Sequence, residues 1–167
     1  DNNGFSGLNV GGDYIDNGAG NQFVDSTQSI GGDAILNGQN GQLRNVVVSS
    51  TVEINGNGVT VDSSEIGDVD GNESALTVTG ADAVVSGTTI LANSNNPGVD
   101  ASGASGRELS NNDFETDSSD TVYITVVSNT VRSNNNFDPG AADPANGEIG
   151  VEPTDVQIND VGFDDGD

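Results

Sequence analysis

Residues 10–23 read VGGDYIDNGAGNQF, and residues 30–43 read IGGDAILNGQNGQL. Val10 aligns with Ile30, Gly11-Gly12-Asp13 with Gly31-Gly32-Asp33, and Ile15 with Ile35. Gly18 aligns with Gly38, Gln22 with Gln42 and Phe23 with Leu43, all at one offset of 20 residues. A fixed period near 20 marks one structural unit that is copied and stacked.

The period continues in weaker form as an apolar residue, two small polar residues, two variable residues and a second apolar residue. Copies start at Leu43, Val61, Val85, Leu109, Val127 and Ile158 and end at Val48, Ile66, Ile90, Phe114, Val131 and Phe163, the copy at Val127 being one residue shorter. With Phe23 as the first, the starting positions advance by 20, 18, 24, 24, 18 and 31 residues. The uneven steps fall where Gly, Asn, Ser and Pro cluster, so loops absorb them. The expected core ladder is therefore Phe23, Leu43, Val61, Val85, Leu109, Val127 and Ile158. Two residues after each start stand Asn45, Ser63, Gly87, Asn111, Asn129 and Asp160. Asn tolerates the left-handed backbone of a tight bend. Stacked Asn side chains can also bond amide to carbonyl, so Asn45, Ser63, Asn111, Asn129 and Asp160 are expected to form a partial structural ladder. The alternative is turn composition alone.

Short strand candidates such as Val46–Val48, Val52–Ile54, Val59–Val61, Leu76–Val78 and Val122–Ile124 are separated by turns every few residues. That spacing does not suit a sandwich with strands of about 5–6 residues. It suits a solenoid in which each coil gives one strand to each of several parallel sheets. Coils about 4.8 Å apart would make seven or eight of them a rod on the order of 35–40 Å long. No window shows the 3.6-residue apolar spacing of an amphipathic helix.

The 167 residues fit one domain. The expected division is an N-terminal arm or edge strand at 1–9, one solenoid at 10–163 with an inserted loop at 133–150, and an acidic tail at 164–167. Apolar residues make up only 32%, and the net charge is −24. A stacked repeat tolerates this because each unit needs only a thin apolar ribbon. Cys, His, Met and Trp are absent, which excludes disulfide, thiol and imidazole chemistry. Arg44, Arg107 and Arg132 are the only basic residues against 27 acids, so nucleic acid and anionic membrane are poor partners. No apolar run is long enough to cross a membrane as a helix. The acidity reads first as adaptation to high salt, where cations screen the repulsion, and second as Ca²⁺ binding. The acidic loop Asp68-Val69-Asp70-Gly71-Asn72 resembles the start of a calcium loop, with Asp68, Asp70 and Asn72 as possible ligands, although Gly71 and Thr79 depart from the EF-hand pattern. Asn72-Glu73-Ser74 is also an N-glycosylation acceptor pattern at Asn72.

The copies typified by Leu109-Ser110-Asn111-Asn112-Asp113-Phe114 resemble the right-handed parallel β-helix family, the pectate-lyase-like and carbohydrate-binding β-helix repeats, over roughly residues 10–163. With the acidity, the chain is similar to acidic secreted surface proteins of haloarchaeal type. The resemblance implies an all-β, right-handed parallel β-helix of about seven to eight coils with a period of about 20 residues. Lyases of this fold use a basic residue as proton acceptor, which leaves Arg44, Arg107 and Arg132. These sit in different coils of a chain that repels polyuronate, and Arg44 occupies an outward position. Glycosidases of the fold use paired acids, and Asp113 with Glu115 is one pair among many. No catalytic residue is therefore assigned. Related enzymes cap one end with an amphipathic helix, and none is encoded here. Uncovered ends pair with other chains, and identical subunits joined head to tail do not close. The expectation is a non-catalytic extracellular structural protein at a cell or virion surface, stacking with itself into a filament or forming an adhesive spike. The alternatives are a glycan-binding or glycan-processing domain and a Ca²⁺-dependent surface-layer module.

Overall fold

The computed structural model describes residues 2–67, 73–92, 98–101, 106–116, 124–126, 130–137, 148–149 and 157–161. They form an all-β solenoid without helices, and every strand pairing is parallel. Three strand ladders run along it. The first ladder contains β1 (Gly4–Phe5), the start of β3 (Gln22–Ile30), the start of β5 (Gln42–Val48), β7 (Thr60–Asp62), β10 (Val84–Ser86), β13 (Arg107–Ser110), β16 (Thr130–Phe137) and β18 (Gln157–Val161). The second contains the ends of β3, β5 and β16 with β8 (Glu65–Gly67), β11 (Thr89–Ala92) and β14 (Asp113–Thr116). Because β3, β5 and β16 run through the bend between them, these two ladders form one 11-stranded sheet. The third is a separate seven-stranded sheet: β2 (Tyr14–Asp16), β4 (Ala34–Leu36), β6 (Val52–Ile54), β9 (Leu76–Val78), β12 (Val99–Ala101), β15 (Ile124–Val126) and β17 (Glu148–Ile149).

Parallel register puts like on like. Phe23, Leu43, Val61, Val85 and Leu109 are successive partners in the first ladder, and each is at most 1% exposed. Ile30, Val48, Ile66, Ile90 and Phe114 form a second buried column. Leu36, Ile54 and Val78 form part of a third. Outward residues alternate with these along each strand, so a thin aliphatic bore suffices despite the low apolar content.

The column from Val10 through Ile30, Val48, Ile66 and Ile90 to Phe114 marks about five turns, fewer than the seven to eight coils expected. Beyond it the described residues supply only separate strands of further turns. Two other expectations change. The residue opposite Leu109 is Arg132, and Val127 lies outside the described residues. Ser110 faces Ser133, Asp113 faces Asn136 and Phe114 faces Phe137, so the segment in register is Arg132–Phe137. Residues 133–137 consequently belong to β16 and 148–149 to β17, where a continuous loop over 133–150 was expected.

Corner chemistry explains how the chain turns between ladders. Asn45, Ser63, Gly87 and Asn111 stand at the bend between the first two ladders with φ of 52°, 51°, 57° and 56°. Only Gly, and with modest strain Asn, Asp or Ser, is placed there easily. A different corner carries Gly18, Gly38, Gly56 and Gly80. A Cβ on Gly38 would run into the Gly18 carbonyl, one on Gly56 into Gly38, and one on Gly80 into Gly56. Here glycine is required because backbone lies directly on backbone.

Candidate functional site

Outside the bend between the first two ladders lies a shallow groove of about 350 Å³. Asn45, Ser63 and Gly87 line one side, and Val47, Glu65 and Thr89 the other. Val47 is 42% exposed, an apolar step in an otherwise polar surface. The positive φ of the bend turns the strand through the corner and so forms the concave face.

Beneath the groove runs a buried polar column, one residue further along each turn than the ladder read from sequence. The Val46 amide donates to Ser64 Oγ at 3.3 Å, and the Thr88 amide donates to Asn112 Oδ1 at 3.1 Å. The Asn112 amide donates to Asn135 Oδ1 at 3.0 Å. Asn112 Nδ2 also donates to the Val85 carbonyl, and Asn135 Nδ2 to the Leu109 carbonyl, both at 3.0 Å. These side chains accept from amides at the bend and add a donor to the strand carbonyls of Val85 and Leu109. Asn45, Ser63 and Asn111 themselves lie exposed at the corner. A further exposed ladder was not anticipated: Asn37 Nδ2 donates to Asn17 Oδ1 at 2.9 Å, Asn55 Nδ2 to Asn37 Oδ1 at 3.0 Å, and Thr79 Oγ1 to Asn55 Oδ1 at 2.7 Å.

The N-terminal end forms a second region of interest. Among the described residues β1 and β2 pair on one side only, with β3 and β4. Phe5, Val10 and Tyr14, one from each ladder, are partly buried over the core. The rings of Tyr14 and Phe23 lie 4.9 Å apart, and Phe5 meets Tyr14 edge to face at 6.4 Å. Burial, helped by the Asp16 charge, pushes the Tyr14 phenol up to about 12. Asp16 occupies the column held by Leu36 and Ile54 in the next turns, yet is only 4% exposed. Its Oδ1 accepts from the Gly18 amide at 2.8 Å and from Asn21 Nδ2 at 2.7 Å. Asn3 closes the corner by donating its amide to Asn21 Oδ1 at 3.0 Å.

The charged residues are dispersed. Arg44 Nε pairs with Asp62 at 2.9 Å on the outer face, which holds the Asp62 carboxyl below the usual range. Asp113 and Glu115 lie exposed on either side of buried Phe114 in β14. Among the described residues no group of three or more acids is placed to hold a metal ion. Asp68, Asp70 and Asn72, the possible calcium ligands and glycosylation position, lie outside the described residues, as does Asn129. Ile158 and Asp160 lie on β18, with Ile158 in register with Arg132. Arg107 is 1% exposed and faces the bore, so no polymer reaches it as a base. Burial pushes its pKa down, and the Asp100 charge opposes this. No known protein family, curated protein or solved structure matches the chain.

Proposed function

We propose that the chain is a non-catalytic structural solenoid of an extracellular surface, whose subunits join head to tail so that the turns of one continue in the next. The observation that supports this is that, among the described residues, β1 and β2 each pair along one edge only, above Phe5, Val10 and Tyr14. An exposed edge of this kind is a template for another strand. The −24 charge suits a high-salt setting, where screening lets such subunits approach.

Light scattering and negative-stain microscopy in concentrated NaCl test the proposal. Rods that lengthen with protein concentration, and that Phe5→Asp shortens at temperatures below its own unfolding midpoint, are expected. A single monomeric species at every concentration would overturn it.

A second reading rests on the corner groove. Asn45, Ser63 and Thr89 beside exposed Val47 offer the mixture of hydrogen-bonding groups and apolar surface that suits a glycan. A polysaccharide-binding screen decides it: a hit lost on Thr89→Ala favours this reading, and an empty screen removes it.

A further inference from the structure

Arg107 is the largest fully buried side chain among the described residues. Its Nε, Nη1 and Nη2 have no hydrogen-bond partner there. It begins β13 in the inward column where Ala83 and Val59 stand in the preceding turns; the adjacent Glu108 amide donates to the Ala83 carbonyl at 2.9 Å. Ala83 below it, and Ala101 where earlier turns carry Leu36, Ile54 and Val78, leave room for the long side chain. Volume is thereby provided for, but among the described residues the only charge that acts on the guanidinium is that of Asp100. A guanidinium does not lose its proton in a protein, and an isolated buried charge is strongly disfavoured. Asp100 acts on Arg107 through space, without a hydrogen bond to it.

We infer that Arg107 marks an internal anion site, which takes one compact monovalent anion of the halide class in the bore of the fifth turn. The surroundings select that chemistry. Among the described residues of its own and the preceding turn, the neighbouring inward side chains Ala83, Ala101 and Leu109 offer no donors, and Thr130 stands in register on the other side, so the charged donors come from the guanidinium fan. A halide accepts hydrogen bonds and has no other polar group to satisfy. A sulfate or phosphate would bring further oxygens and a second charge against aliphatic walls, at a desolvation cost. Once filled, the site neutralises the guanidinium and pins β13 to the turns on either side.

Crystals grown in NaBr provide the direct test. Anomalous bromine density within hydrogen-bonding distance of the Arg107 guanidinium is expected, and none in Arg107→Leu. Thermal unfolding in NaBr and in sodium gluconate, at matched sodium and ionic strength, gives the solution counterpart. Well above half-saturation each tenfold rise in bromide should lift the wild-type midpoint by about 3–5 °C relative to Arg107→Leu. A chain carboxylate found on the guanidinium, absent bromine density, or equal bromide dependence in both proteins would overturn the inference. Should Arg107→Leu fail to fold, the wild-type density decides alone. None of these readouts depends on end-to-end assembly.

Discussion

The side chain of Asn40 fills the space in which Gly58, the equivalent residue one turn later, would carry its own. Both have positive φ, 56° and 68°, and a Cβ on Gly58 would meet Asn40 Oδ1 first. The same relation joins Asn2 to Gly20 and Asp82 to Gly106. Along this corner a residue with a side chain therefore alternates with glycine.

That alternation predicts a rescue. Gly58→Asn alone should cost about 1–3 kcal/mol, since two side chains compete for one space. Adding Asn40→Gly should recover most of the loss, a coupling of about 1 kcal/mol or more in a double-mutant cycle. Denaturant unfolding of the four proteins measures it, and additive costs would contradict the stacking relation.

The glycine corner makes a sharper contrast. Gly38→Ala places a methyl against the Gly18 backbone, which cannot move aside as a side chain would. A loss of about 3 kcal/mol is expected, at the upper end for overpacking. Gly11→Ala meets nothing within 4 Å and should change stability little. Comparing their unfolding midpoints tests whether backbone proximity, rather than glycine content, is what matters.

The buried polar column gives a third prediction. Asn112→Leu would leave the Thr88 amide without its acceptor and take one donor from the Val85 carbonyl. Leaving buried backbone groups unpaired should cost about 2–3 kcal/mol although the new side chain is more apolar. Amide hydrogen exchange should quicken first at Thr88. Unchanged protection there would show that the column is dispensable.

The repeat of residues 10–43 and the apolar positions after it were enough to read the parallel solenoid, because stacking forces equivalent positions into register. Legibility failed where a turn breaks the chemical pattern while keeping the geometry. Arg132 stands in register with Leu109, so the segment Arg132–Phe137 was passed over for Val127, although Ser133, Asn134, Asn135 and Phe137 repeat Ser110, Asn111, Asn112 and Phe114. The buried column changes residue type at almost every turn, from Val46 to Ser64, Thr88 and Asn112, and so carries no letter pattern. Arg107 gave no sign of burial, since an arginine in an acidic chain reads as a surface residue.

Acid titration should separate two opposing effects. Hydrogen bonds from Ser50 and Thr51 hold the Asp33 carboxyl below its usual range, and Arg44 chiefly does so for Asp62. The unfolded chain therefore binds these protons first, and stability falls with pH from near the ordinary carboxylate value of about 4 downwards. Above that value their contribution is complete. From about pH 5 downwards the other carboxylates also take up protons, and the falling net negative charge relieves repulsion and offsets part of that loss at low salt. Stability curves against pH for wild type and for Asp33→Asn with Asp62→Asn test this: the double variant should lose part of the acid limb and keep the low-salt offset.

The exposed amide ladder bears on how the protein ages. In flexible chains an Asn-Gly pair loses ammonia when the glycine nitrogen attacks the asparagine side chain. Here the Gly38 nitrogen is engaged by the Asp16 carbonyl at 3.1 Å and the Gly56 nitrogen by the Leu36 carbonyl at 2.9 Å. The carboxamides of Asn37 and Asn55 are held by their neighbours in the adjacent turns. Peptide mapping after long incubation should find isoaspartate at both positions in denatured chains and almost none in folded ones. The stacking that shapes the rod also acts as a preservative for its most perishable bonds.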